Sequence, residues 1–261
     1  MHQQVSDDCA MRSPISRREA LGGGLLLTLA ALSGCGTPQR SVPVAAAANS
    51  SPVTPYIPGP LPVPAEPAPA APVGGQVTVI PRSVWTRSGP IPGRVKNPMN
   101  GVRRITVHHA GDQTFSETGQ AAVAAKLESI RQYHTTRTKS GTSEKWADIG
   151  YHYIIDPAGR VWEGRSVAWQ GAHVQAQNEN NLGIMLLGNF DQQRPTAAAL
   201  ASLDAFLIDQ MRRFGVPRSR VYTHRELNAT ACPGRNLQSH MVATRSRGGR
   251  LAMVAAELGL A

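Results

Sequence analysis

The sequence predicts an α/β fold, a single domain with a mixed central β-sheet flanked by helices and preceded by a disordered Pro/Ala-rich linker. Three observations carry that reading. From residue 77 onward, β-prone runs alternate with amphipathic helical stretches without internal repeats, as in a sheet with helices on its faces. Leu182–Phe190, LGIMLLGNF, is a continuous apolar run bounded by Asn181 and Asp191, the pattern of a central strand covered on both sides. Before the domain, VPAEPAPAAPVGG follows neither a strand nor a helix period, and proline at that density cannot hold a helix or an inner strand.

The chain divides into residues 1–35, 36–76 and 77–261. The first segment reads as an address. Ser16-Arg17-Arg18-Glu19-Ala20-Leu21 is a twin-arginine pattern, followed by the apolar run Leu21–Leu32, too short to span a membrane but suited to a signal-peptide core. It ends in Leu32-Ser33-Gly34-Cys35, which resembles a bacterial lipobox with Cys35 as the lipidated residue. The expectation is an exported lipoprotein of the cell envelope, bound to the membrane through Cys35. Gly36 carries no inner-membrane retention signal of the Asp type, so a diderm cell would hold it on the outer membrane facing the periplasm. The linker over 36–76 would reach roughly a hundred ångströms at about 3.1 Å per residue.

Within the domain, Val77–Ile80 is β-prone and Gly101–His109 reads as a strand. Val123, Leu127, Ile130 and Tyr133 give Gln120–His134 the spacing of an amphipathic helix. Trp146–Asp156 reads as a buried strand, and the turn Pro157–Arg160 leads into Val161–Glu163 as a hairpin. Thr196 caps a helix over Ala197–Phe214, which Gly215-Val216-Pro217 stops. A last helix is expected over Arg250–Leu260.

The formal net charge is +10. Residues 1–35 hold three Arg against two Asp and one Glu, and the linker holds Arg40 against Glu66, so the excess belongs to the domain, 23 basic against 13 acidic residues. Nucleic acid is one partner for such a surface. Aromatics are sparse, no nucleic-acid motif occurs and the export signal removes the chain from that partner, so an anionic envelope polymer is expected and nucleic acid is not. The expected oligomeric state is a monomer.

Of the three cysteines, Cys9 lies in the leader and Cys35 would carry lipid. Cys232 is then left without a disulfide partner in an oxidising compartment, a liability unless a metal occupies the thiol. His224 precedes it by eight residues in VYTHRELNATACPG, and imidazole and thiolate are the ligands zinc accepts most readily. The pair does not complete a tetrahedral site. The upstream donor is Ile105–His109, a strand-like run ending on two histidines.

HHA at His108–Ala110, DIGYHYIID at Asp148–Asp156, GAH at Gly171–His173, NLGIMLLGNF at Asn181–Phe190 and THRELNATACPG at Thr223–Gly234 occur in the order and spacing of one family. The chain resembles the zinc-dependent N-acetylmuramoyl-L-alanine amidases related to phage lysozyme-type amidases and peptidoglycan recognition proteins, over about Pro81–Leu237. The resemblance implies a mixed sheet with flanking helices and a zinc site that hydrolyses the amide between N-acetylmuramic acid and L-alanine of the stem peptide. It further implies His108, His224 and Cys232 as zinc ligands and Tyr151 as a catalytic residue, with Thr230 at the catalytic groove, where it would donate a hydrogen bond. Two features depart from the cytosolic recycling branch of the family: Met185 stands where those enzymes carry a glutamate, and Cys232 where they carry aspartate. The identity of a general base is therefore open between Tyr151 and the metal's own water. The alternative function is an envelope lipoprotein that binds muropeptide without cutting it.

The other histidines carry plainer expectations. His109 should point to the opposite sheet face from His108 and make a structural hydrogen bond. His134 is expected to pack or cap, His152 to face the core and His240 to lie on the surface. His173, in a Gly-Ala-His loop, is a candidate for substrate or oxyanion contact.

Overall fold

The computed structural model describes residues 77–94, 96–137 and 145–261. The expected signal segment over 1–35, its Cys35 and the linker over 36–76 lie outside the described residues. Among the described residues, no helix is long and apolar enough to cross a membrane.

One sheet of six strands organises the domain. In chain order they are β1 (Val79–Ile80), β2 (Arg104–His109), β3 (Tyr153–Ile155), β4 (Val161–Glu163), β5 (Asn181–Leu186) and β6 (Val221–Thr223). Their spatial order is β1-β4-β3-β5-β2-β6. β3 and β4 pair antiparallel through the hairpin expected at Pro157–Arg160, with Ile155 opposite Val161. The remaining pairs are parallel, so the sheet is mixed. β5 sits inside it with every residue buried, as its uninterrupted apolar run requires.

Side-chain alternation along the strands separates two cores. Ile105 and Val107 of β2, Leu182, Ile184 and Leu186 of β5 and Tyr153 and Ile155 of β3 join one cluster. Three helices cover that face: α2 (Ala197–Phe214), α3 (Arg235–Arg245) and α4 (Arg250–Glu257), which supply Leu203, Phe206, Leu207, Leu237, Met241 and Leu251 to it. On the opposite face, Ile154, Trp162 and Met185 pack with Val123, Leu127 and Ile130 of helix α1 (Gln120–Thr136). The two-residue period decides which strand residues meet which helices. It therefore also decides where the polar β2 residues Thr106 and His108 emerge.

The α2 cap is as the sequence predicts. Thr196 accepts the Ala199 amide, and Gly215 closes the helix in the left-handed conformation at φ 64°. Three features differ from expectation. Only Tyr153–Ile155 of the stretch 146–156 is a strand; residues 148–152 are buried loop. The loop is tied by side chains in place of a ladder. Arg165 donates to the carbonyls of Ile149, Asp148 and Gln170 at 2.8, 3.1 and 2.7 Å. The Asp148 carboxylate holds Arg82 at 2.8 Å and accepts the Ile149 amide. Helix α3 is an addition: only Leu237, Met241 and Thr244 of its eleven residues are buried, too few for a clear apolar stripe. The last helix stops at Glu257, short of Leu260.

Candidate metal centre

His108 is the fifth residue of β2, on the face shared with Met185, its register partner on β5. β6 runs parallel to β2, with Val107 opposite Thr223, so the residue after β6, His224, arrives beside His108. A short 3-10 turn, His224–Glu226, follows at once, and Glu226 accepts the Thr223 amide at 2.8 Å. The chain then loops back and the Arg225 amide donates to the Cys232 carbonyl at 3.0 Å, which brings the thiol under the two imidazoles. Gly234 allows the exit: at φ 83°, an added Cβ would lie 2.5 Å from the Phe190 carbonyl carbon.

The result is a tight group of donors. One ligand atom from each of His108, His224 and Cys232 lies within 4.8 Å of the others. All three residues are at most 1% exposed, so the donors face one another and not water. Cys232 Sγ lies 3.6 Å from His108 Nδ1 and accepts the His109 amide at 3.5 Å. The Nδ1 of His224 is buried without a hydrogen-bond partner. Burying three polar donors together, one of them unsatisfied, is costly unless something coordinates them. Two neutral imidazoles and a thiolate are the donor set of a catalytic zinc site with one open position. The residues fit the metal.

Tyr151 and Thr230 border the cluster. The Tyr151 ring is 5.2 Å from that of His108 between centroids and 5% exposed. Thr230 is half-buried; its hydroxyl oxygen accepts the Cys232 amide at 3.2 Å, which leaves the hydroxyl proton to donate elsewhere. Met185 is 1% exposed and brings no carboxylate to this face.

His173 lies elsewhere than at a surface a substrate could reach. It is 3% exposed, and both ring nitrogens are engaged: Nδ1 with His108 Nε2 at 3.0 Å and Nε2 with the Asn181 carbonyl at 3.1 Å. Burial, with the neighbouring His108 and His152, pushes its pKa well below the usual histidine value. His152 lies beneath, 5.7 Å away between ring centroids; it accepts the Gly183 amide on Nδ1 and donates from Nε2 to the Trp169 carbonyl. The other histidines have structural contacts. His109 turns to the opposite face, as expected, and accepts the Phe190 amide. His134 packs against Trp146 and accepts the Gly150 amide. His240 is only partly exposed and pairs with Asp204 at 2.9 Å, joining α3 to α2, where a surface position was expected. His152 faces the core, as expected; the residues that sequence reasoning missed are Asn181, Gly171, Gly183 and Arg165, whose carbonyl, bare α-carbon or guanidinium roles leave no spacing signal.

Comparison with known proteins supports the geometry. A family described as N-acetylmuramoyl-L-alanine amidase matches residues 97–235. Peptidoglycan-recognition protein SC2 of Drosophila melanogaster is 32% identical over 162 residues, 62% of this chain and 83% of the relative. A human N-acetylmuramoyl-L-alanine amidase is 32% identical over 61% of this chain but only 27% of its own length. The crystal structure of Drosophila peptidoglycan recognition protein SD superposes with a TM-score of 0.56 at 25% identity, over 64% of this chain and 94% of that one. Sheet, helices and sequence agree: the chain belongs to the N-acetylmuramoyl-L-alanine amidase family, alongside the peptidoglycan-recognition proteins.

Proposed function

We propose that the chain is a zinc-dependent hydrolase that cleaves the amide between N-acetylmuramic acid and the L-alanine of the peptidoglycan stem peptide. The observation that carries this reading is the buried trio of His108, His224 and Cys232, one ligand atom of each within 4.8 Å of the others. When bound there, zinc supplies Lewis-acid chemistry, lowering the pKa of water towards about 7 and polarising the scissile carbonyl. The chain's own contributions are distinct. His108, His224 and Cys232 hold the metal, the thiolate being the one anionic donor. Tyr151, beside His108, donates its phenolic proton to the developing oxyanion or orients the attacking water. Thr230 offers a neutral hydroxyl from the loop before Cys232, a weaker stabiliser of negative charge than a cation.

The sequence over 1–35 supports the setting: export through the twin-arginine pattern and a lipid anchor on Cys35 would put the domain in the envelope beside its polymer. The decisive experiment uses the full chain, wild type and Cys232→Ser, with metal analysis and muropeptide release on purified peptidoglycan. Wild type should carry stoichiometric zinc and release stem peptides. The serine variant should lose zinc and fall to background hydrolysis while keeping its circular dichroism. A serine variant with full zinc and full hydrolysis would show the assignment to be wrong. Wild-type protein that binds muropeptide without cutting it would favour recognition instead.

A further inference from the structure

Behind the donor trio, a line of hydrogen bonds runs from the backbone to His108. The Asn181 carbonyl oxygen can only accept, so the contact at 3.1 Å requires the proton of the His173 ring to sit on Nε2. A neutral imidazole has a single ring proton, so with Nε2 carrying it the Nδ1 of His173 is an acceptor. The partner at 3.0 Å, His108 Nε2, must then donate. His108 is left to present the Nδ1 lone pair to the cluster, where Cys232 Sγ lies 3.6 Å away. One carbonyl thus sets two tautomers in series.

The surroundings hold this line in place. Gly183 and Gly171 both lie against the Cδ2–Nε2 edge of the His173 ring. A Cβ on Gly183 would lie 2.5 Å from the ring's Cδ2, and one on Gly171 would come closer still. The backbone of the histidine loop is pinned by Asn178 Oδ1, which accepts the amides of both His173 and Val174 at 2.9 Å. Asn181 is itself fixed: its side-chain oxygen accepts from the Thr106 hydroxyl and its amide donates to the Gln177 carbonyl, each at 2.8 Å. The bare α-carbons of GAH and LGI therefore leave the slot that the ring's Cδ2–Nε2 edge fills.

We propose that His173 is a positioning residue that fixes the tautomer and ring orientation of His108 for the metal, with the Asn181 carbonyl as the terminus of the relay. This rests on the metal reading of His108, His224 and Cys232. A ligating histidine typically donates its second ring N–H to an acceptor that orients it, and loss of that acceptor costs 10–100-fold in metal affinity or activity. Here the acceptor is a second histidine.

The test uses the full chain as wild type, His173→Leu, His173→Asn and Gly183→Ala. Zinc affinity is measured by chelator competition, and ring tautomers by long-range proton–nitrogen spectra of the metal-free protein. Wild type should show the Nε2–H form at both His173 and His108. His173→Leu fills the slot but cannot accept, so zinc affinity should fall about 10–100-fold and the His108 preference for Nε2–H should disappear. His173→Asn places an amide oxygen where Nδ1 stood and should recover most of both. Gly183→Ala, which displaces the ring, should weaken zinc without touching any ligand. With substrate the leucine variant should lose kcat at limiting zinc with little change in KM. The proposal is overturned by any of three results: His108 in the Nδ1–H form in wild type, zinc affinity of His173→Leu within about twofold of wild type, or a raised KM with zinc affinity intact. Wild-type protein that binds no zinc at all would instead defeat the metal reading, and this proposal with it.

Discussion

Acid is the perturbation that His152 should report most directly. Its ring is fully buried, and that burial, with the Arg165 charge adding to it, lowers its pKa from 6.5 to about 4 against the opposing hydrogen bond to the Trp169 carbonyl. The unfolded chain takes up a proton at this residue below about 6.5, whereas the folded chain refuses it until about 4. The stability contributed by neutral His152 is therefore intact above pH 6.5 and is lost as the pH falls, at up to about 1.4 kcal/mol per unit, levelling off below pH 4. The full deficit is about 3 kcal/mol, a sizeable share of a domain's typical stability. His173, also depressed by burial, adds acid sensitivity of the same sign. The assay is urea denaturation of the metal-free full chain at several pH values between 7.5 and 4, for wild type and His152→Asn. The asparagine oxygen can accept the Gly183 amide in place of Nδ1 but does not titrate. The variant should be less stable at pH 7.5, having lost the bond to Trp169, yet its stability should fall less steeply towards pH 4. Parallel curves for the two proteins would refute the reasoning.

Two further outcomes are expected. Tyr151→Phe keeps the ring beside His108 and removes the phenolic hydroxyl, so turnover should drop about 10²–10⁴-fold with zinc content unchanged, measured by muropeptide release and metal analysis on the same sample. Cys35→Ser should abolish incorporation of labelled fatty acid and move the protein from the membrane to the soluble fraction; wild type found unmodified in the soluble periplasm would exclude the anchor.

What the sequence made legible follows from where its periodic signals are strong. β2 and β5 read clearly because Ile105, Val107, Leu182, Ile184 and Leu186 alternate onto one apolar face, and α2 because Thr196 and Gly215 mark both its ends. His224 and Cys232 were readable as chemistry, since an imidazole after a β-prone run and a lone thiol eight residues on suit a metal, while the family resemblance singled out His108 from the two histidines upstream. The stretch 146–152 misled because it is as buried as a strand while its backbone is held by Arg165 and Asp148, a role no local pattern announces. Helix α3 was silent because Leu237 and Met241 are the two apolar residues it sends into the core. His173 reads as a candidate for substrate or oxyanion contact because a histidine after Gly-Ala looks like a loop tip. The glycines instead make room for its ring, a relation visible only once the fold brings Gly171 and Gly183 against its Cδ2–Nε2 edge.

The two outermost strands carry a consequence for how this protein meets other chains. β1 has two residues and is followed by Pro81, which has no N–H to offer. β6 has three and is bounded by 3-10 turns at Arg218–Arg220 and His224–Glu226. An extended peptide that recognises a sheet by adding to its rim needs a longer row of unpaired amides and carbonyls. So does a second copy that would aggregate edge to edge. Among the described residues neither rim supplies that row, which favours reading a bound peptide by side chains and loops, and the two short rims give self-templated growth little to build on.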